Sequence, residues 1–222
     1  MDGSKNDIIT NMRIDLEKAR VKGIPEYIKK LQANSDSKDF QDFLLEGRAA
    51  LMFSKAGFCV TIQDSPDLSL KFNNEQFYAE VKHFRMKEQD TIDDAKMSEP
   101  GDELVPYGDT VPLEGKPAWE QVYDVAKKKI KQYKEHAPNI LVIESSSDCI
   151  DDLSIPTVID RINEDVRSGK CPGFAKLNGI LLISLDWYII SQGRRVFFYC
   201  TSNPSVSLSR ELSVLLDEIR LG

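Results

Sequence analysis

Asp67, Glu80 and Lys82 are the residues whose types and spacing could do chemistry together. Asp67 follows Pro66, and Glu80-Val81-Lys82 comes after twelve intervening residues. Two carboxylates offer hard oxygen ligands to a divalent cation that keeps several of its waters. An amine beside them could orient or deprotonate an attacking water and stabilise negative charge as it develops. This is the inventory of metal-assisted hydrolysis, with Asp67 and Glu80 as metal ligands and Lys82 as the amine.

For the three to meet, Glu80 and Lys82 must share a strand. Side chains alternate along a strand, so these two would project from one face roughly 6.5 to 7 Å apart. The flanks agree: Phe58 to Ile62 reads as a first strand, Leu68 to Phe72 as a second and Phe77 to Lys82 as a third, with Asn73-Asn74-Glu75-Gln76 as the turn between the last two. Ahead of them Ser37 to Lys55 reads as a helix, its buried side marked by Phe40, Phe43, Leu44, Gly47, Ala50 and Leu51. Glu46 lies three residues after Phe43 and four before Ala50, at the border of that stripe and not on the opposite, solvated face.

An acid-x-Lys string alone is a common chance event. With the preceding Pro-Asp, the strand context, the order of elements and the acidic helix, residues from Ser37 to about Phe84 resemble the PD-(D/E)XK superfamily of restriction-endonuclease-like nucleases. The resemblance implies an α/β fold, a mixed central sheet flanked by helices. It also implies phosphodiester hydrolysis with Mg2+ or Mn2+. Asp67 and Glu80 would be metal ligands, the carbonyl of Val81 a third, and Glu46 an acid that binds a second metal or holds a metal-bound water. The bland reading is that Glu80 and Lys82 form an ordinary same-face ion pair and Pro66-Asp67 initiates a turn.

At 222 residues and 41% hydrophobic content the chain can bury one sizeable core. The expected division is a helical extension over residues 1–36 and a nuclease-like domain over 37–222. No stretch approaches the roughly 20 apolar residues that cross a bilayer. Met1 to Thr10 lacks the basic start and apolar run of a signal peptide, so the expected location is cytoplasmic, away from membranes. Four scattered cysteines, Cys59, Cys149, Cys171 and Cys200, form no CxxC pair, and Cys59 and Cys200 sit in apolar runs that read as partly buried.

The net charge of −7 argues against an indiscriminate nucleic-acid binder, because Lys and Arg supply most nonspecific affinity. The charge is concentrated: Arg85 to Ala118 carries nine acids against four bases, leaving −2 for the remainder. That segment is rich in Pro and Gly and exceeds an ordinary loop, so it reads as a flexible acidic insert over about 85–116, a lid over the cleft or a surface for a protein partner.

Two N-terminal helices, Asp7 to Val21 and Pro25 to Ala33, flank Gly23 and would cap or dimerise the core. A helix from Pro117 to about His136 carries an apolar arc of Trp119, Val122, Tyr123, Ala126, Ile130 and Tyr133. Lys127, Lys128, Lys131 and Lys134 fall on the adjacent arc, a candidate phosphate rail with a solvated face as its plainer explanation. Beyond it, Asn139 to Glu144, Gly179 to Leu185 and Val196 to Cys200 read as strands, with Ser191 to Arg194 as a hairpin turn. A helix includes Asp160 to Ser168, and another spans Ser209 to Leu221.

Weaker candidates are Asp64 as a substitute for Asp67, His83 on the opposite strand face, His136 at a helix end, and Gln121 or Gln132 as substrate contacts. Asp186-Trp187-Tyr188 reads as packing. Neither glutamine has the Gln-x-x-x-Tyr spacing of the exonuclease branch, since Val125 and His136 stand four residues on. The expected function is a Mg2+-dependent endonuclease acting on DNA in preference to RNA, with a homodimer left open. The competing reading is an inactive nuclease-fold scaffold for a partner or nucleic acid.

Overall fold

The computed structural model describes residues 4–84, 117–145, 154–185 and 194–219. The acidic insert, Cys149, Asp186-Trp187-Tyr188 and the residues expected to turn at 191–193 lie outside them. In chain order the elements are α1 (Lys5–Lys18), α2 (Ile24–Ala33), α3 (Phe40–Lys55), β1 (Cys59–Ile62), β2 (Leu68–Phe72) and β3 (Glu75–Phe84). There follow α4 (Ala118–Lys129), β4 (Asn139–Ser145), α5 (Ser154–Arg167), a 3-10 turn (Pro172–Lys176), β5 (Leu177–Leu185), β6 (Arg194–Cys200) and α6 (Arg210–Asp217). The six strands form one mixed sheet in the order β1-β2-β3-β4-β5-β6. The β1-β2, β2-β3 and β5-β6 pairs are antiparallel, and β3-β4 and β4-β5 are parallel.

Apolar residues on both sides of the central strands require cover on both faces, and every residue of β4 is buried. On one face Val81, Val142, Leu181 and Ile183 pack with α1, α2, α3 and α6. On the other, Leu141, Ile143, Ile180 and Leu182 pack with α4 and α5. The molecule is thus an α/β protein with its sheet between two helical layers.

Several sequence expectations shift in detail. The β2-β3 turn needs only Asn73-Asn74, because Glu75 and Gln76 already pair with Phe72 and Lys71; Asn73 takes φ 53, a left-handed conformation that asparagine tolerates. Helix α3 begins at Phe40 and is buried almost all round: Leu45, Ala49, Met52 and Phe53 are buried, whereas Phe43 and Leu51 are only half-buried. The cause is a second layer, since α1 and α2 cover the side of α3 that faces away from the sheet.

The N-terminal helices therefore complete the core, through Ile9, Met12, Leu16, Tyr27, Ile28 and Leu31. Ser4 and Asp7 close a capping box at the start of α1. Between the helices, Lys22 is stitched to the sheet edge: its amide donates to Val60 O at 2.9 Å, and Ile62 N–H donates to Lys22 O at 2.9 Å. Gly23 follows at φ 81, where a Cβ would stand 2.1 Å from the Ile62 carbonyl oxygen. Gly23 thus permits both the left-handed turn and the close approach.

Helix α4 ends at Lys129, short of His136, and the chain then turns back toward β4. Asn139 fixes this return: its Oδ1 accepts from Lys134 N–H, and its Nδ2 donates to the carbonyls of Lys134, Ala137 and Lys176. The Tyr123 hydroxyl donates to the buried Asp165 carboxylate and locks α4 onto α5. Cys59 and Cys200 are exposed, contrary to the expectation from their apolar neighbours, because they occupy outward-facing strand positions.

Candidate active site at the open edge of β3

Strand β3 outruns β2. Their last pair is Leu68 with Ala79, while β3 continues to Phe84 paired with β4 alone. Asp67, one residue before β2, fills the start of the gap: Val81 N–H donates to Asp67 Oδ2 at 2.8 Å. The amide and carbonyl of one strand residue point the same way, so the Val81 carbonyl also faces this open edge. Glu80 turns with Leu141 toward the α4 layer and is completely buried. There Lys129, the last residue of α4, brings Nζ to 2.6 Å from Glu80 Oε2 and 3.8 Å from Asp67 Oδ2. Glu80 Oε1 is buried and has no hydrogen-bond partner among the described residues.

Glu46 enters from the other layer and is 6% exposed. Its two oxygens each accept from Lys30 Nζ at 3.0 Å, and that ammonium lies over the Phe43 ring, 4.4 Å from its centroid. Lys30 reaches Glu46 because α2 sits tightly on α3: a Cβ on Gly47 would stand 2.3 Å from Tyr27 Oη, and that hydroxyl donates to Phe43 O at 3.0 Å. The resulting cleft holds ≈ 430 Å³. Glu46, Asp67, Val81 and Lys82 line it, joined by Lys30 and Asp42 from one side and Lys128 and Lys129 from the other.

The most buried acids of this cleft outnumber the ammoniums that touch them. Glu46, Asp67 and Glu80 carry three potential negative charges against the contacting ammoniums of Lys30 and Lys129, so within this contact set one negative charge is in surplus, with Lys128 farther along the cleft wall. Burial, then the charge of Asp67, pushes Glu46 up to about 7 and Glu80 up to about 7, with the lysines opposing. Lys129 is held above its ordinary value by Asp67, Glu80 and Glu46, which outweigh its own burial. The surplus calls for a proton or for a second positive charge.

Lys82 lines the cleft, but its ammonium is engaged by Asp42 Oδ2 at 2.8 Å. His83 lies on the opposite face of β3, its Nδ1 3.7 Å from Asp42 Oδ1 and its Nε2 4.0 Å from Glu144 Oε2. Arg48 completes that row with a 2.7 Å contact to Glu144. Asp42 is thus shared between the amine of the cleft and a charged row beneath α3.

The expected lysine rail is divided. Lys128 lines the cleft, Lys127 leans over the Tyr123 ring, and Lys131 and Lys134 fall beyond the end of the helix. Lys134 turns back over the Tyr78 ring and reaches Ser65 O at 3.5 Å. Asp64 and His136 are exposed, and neither Gln121 nor Gln132 lines the cleft. Lys30 and Asp42 carry no signal in the sequence, and Lys129 is read there only as one of five lysines in eight residues, not as a partner of the acids. Lys129 carried a usable signal: it stands three residues after Ala126 and seven after Val122, on the buried arc of α4, where an unpaired lysine is costly.

No family model, curated protein or solved structure matches this chain. The fold itself defines an α/β protein with a six-stranded mixed sheet flanked by helices. Among the described residues no helix is long and apolar enough to cross a membrane, and no three of His, Cys, Asp and Glu are grouped as a ready-made metal cage.

Proposed function

We propose that this chain is a divalent-metal-dependent nuclease of restriction-endonuclease-like fold, acting on DNA as an endonuclease. The observation that carries the reading is the convergence of Asp67 and Glu80 on a single positive charge at an open strand edge, with Glu46 across the same cleft. The donors suit a hard cation: two carboxylates, a backbone carbonyl aimed at the same gap and one buried carboxylate oxygen without a hydrogen-bond partner among the described residues. Such a cation takes several waters and substrate oxygens, so three acidic side chains need not close around it.

Asp67, Glu80 and the Val81 carbonyl would hold Mg2+ or Mn2+, with Glu46 holding a metal-bound water or a second ion. The metal would supply an activated water and charge neutralisation at the phosphoryl oxygens. Lys82, fixed by Asp42, would orient the attacking water and meet negative charge as it develops. Lys30 and Lys128 line the route by which a phosphate would enter.

One observation favours a second reading, a structural ion cluster in an inactive scaffold: Glu80 already has a close ammonium partner. Cleavage of plasmid DNA with and without Mg2+ or Mn2+ separates the two. The nuclease reading expects metal-dependent nicking that Asp67→Asn, Glu80→Gln and Lys82→Ala each abolish in folded protein. Cleavage that needs no metal, or that survives all three substitutions, refutes it.

A further inference from the structure

We infer that Lys129 is the resident counter-ion of the Asp67–Glu80 pair and yields that place when a divalent cation binds, so that metal loading proceeds by exchange of an ammonium for the metal. The inference rests on the metal-dependent reading of the site above, but assigns a role to a residue that the acid-x-Lys motif does not contain.

Three observations carry it. Lys129 Nζ stands 2.6 Å from Glu80 Oε2 and 3.8 Å from Asp67 Oδ2, between the two carboxylates that would hold the ion. Its side chain is only 21% exposed, so the contact is not a passing surface pair screened by water. Of the amines that line the cleft, Lys30 is held by Glu46 and Lys82 by Asp42, and Lys129 is the one in contact with the Asp67–Glu80 pair among the described residues.

The ammonium solves a problem that the metal-free fold must face. Two buried carboxylates without a cation would repel each other and lose their hydration together. Lys129 offsets that cost with one charge, yet Glu80 Oε1 remains without a partner among the described residues, so the pair is incompletely satisfied. A divalent cation brings twice the charge and can use the free oxygen. Lys129 ends its helix, where the chain turns back, and its long flexible stem would let the ammonium leave the carboxylates for the open cleft. Loading would therefore add a free amine to the cleft at the moment the site becomes ready for a phosphate.

The test is Mn2+ binding, followed by isothermal calorimetry or by the paramagnetic resonance of free Mn2+, on the full chain without nucleic acid. Lys129→Gln removes the competing charge and keeps a hydrogen-bond donor for Glu80; Lys129→Arg keeps the charge; Lys128→Gln removes a neighbouring charge that does not touch the carboxylates. A charge-assisted contact of this kind should make Lys129→Gln bind Mn2+ at least about tenfold more tightly than wild type, with Lys129→Arg and Lys128→Gln within about threefold of it. Circular dichroism of each variant establishes that it is folded. Equal affinity in wild type and Lys129→Gln overturns the exchange while leaving the metal site standing. An equal gain from Lys128→Gln reduces Lys129 to general electrostatics and overturns it too. Absence of Mn2+ binding in every variant overturns both the exchange and the metal-dependent reading.

Discussion

Raising the pH from 5 to 8 should destabilise the metal-free protein through its cleft, and Glu80→Gln should remove the part of that dependence that Glu80 contributes. Glu46 and Glu80 are both pushed up to about 7 from an ordinary 4.5, first by burial and then by Asp67. A carboxyl whose folded value lies above its unfolded value binds more protons in the folded state between the two. Its stabilising contribution is complete below pH 4.5 and is lost as pH rises through about 7. Glu80 contributes one such proton. Its loss costs about 1.4 kcal/mol per pH unit, or about 3 kcal/mol over the full interval. Glu80→Gln removes the Glu80 proton, whereas Glu46, pushed up first by its own burial and then by Asp67, keeps its own. The assay is urea unfolding in chelator at half-unit steps of pH, comparing the wild-type profile with that of Glu80→Gln. The difference between the two should change by about 2 to 3 kcal/mol between about pH 5 and pH 7.5, to the disadvantage of the wild type. Parallel profiles, or a wild type that gains stability relative to the variant as pH rises, would refute the shift of Glu80.

The same surplus makes metal and protons compete. Mn2+ affinity should fall about tenfold between pH 7 and pH 6 and change little above pH 8, with proton release visible in calorimetry across buffers of different ionisation enthalpy. Asp42→Asn should cost at most about 1 kcal/mol of stability, because its pair with Lys82 is partly exposed. Steady-state kinetics should nevertheless show kcat lowered about tenfold with KM little changed, since Lys82 loses the group that fixes it. Gly47→Ala should destabilise by about 1 to 3 kcal/mol in thermal unfolding, because the added methyl would enter the space of Tyr27 Oη and Met12 Sδ.

The strands around the acids were legible because each obeys a local rule. Leu68 to Phe72 alternates and is bounded by turn residues, and it forms β2 with those limits. Glu80 and Lys82 share a face because the strand period is two, whatever the tertiary contacts. The helix before them was legible in existence but not in its burial, because sequence periodicity marks an apolar stripe and does not reveal a second layer of helices over α3. Lys129 was hidden for another reason. Counted among five lysines in eight residues it looks like part of a solvated run, and only the end of α4 separates it from Lys131 and Lys134. Lys30 and Asp42 lie far from the motif in sequence, and no spacing rule connects them to Glu80 or Lys82.

Asp67 spends one oxygen on the Val81 amide, and that bond has a consequence for how the protein acquires its site. Beyond Ala79, β3 has no neighbour in β2, and the carboxylate stands in for the missing strand by accepting the next amide of the edge. The contact that closes the margin of the sheet also aims Asp67 at the backbone of the Glu80-Val81-Lys82 segment, so the carboxylate is oriented in the metal-free protein. A ligand meets a donor whose rotational freedom has already been surrendered, so its binding energy is not consumed in ordering that side chain.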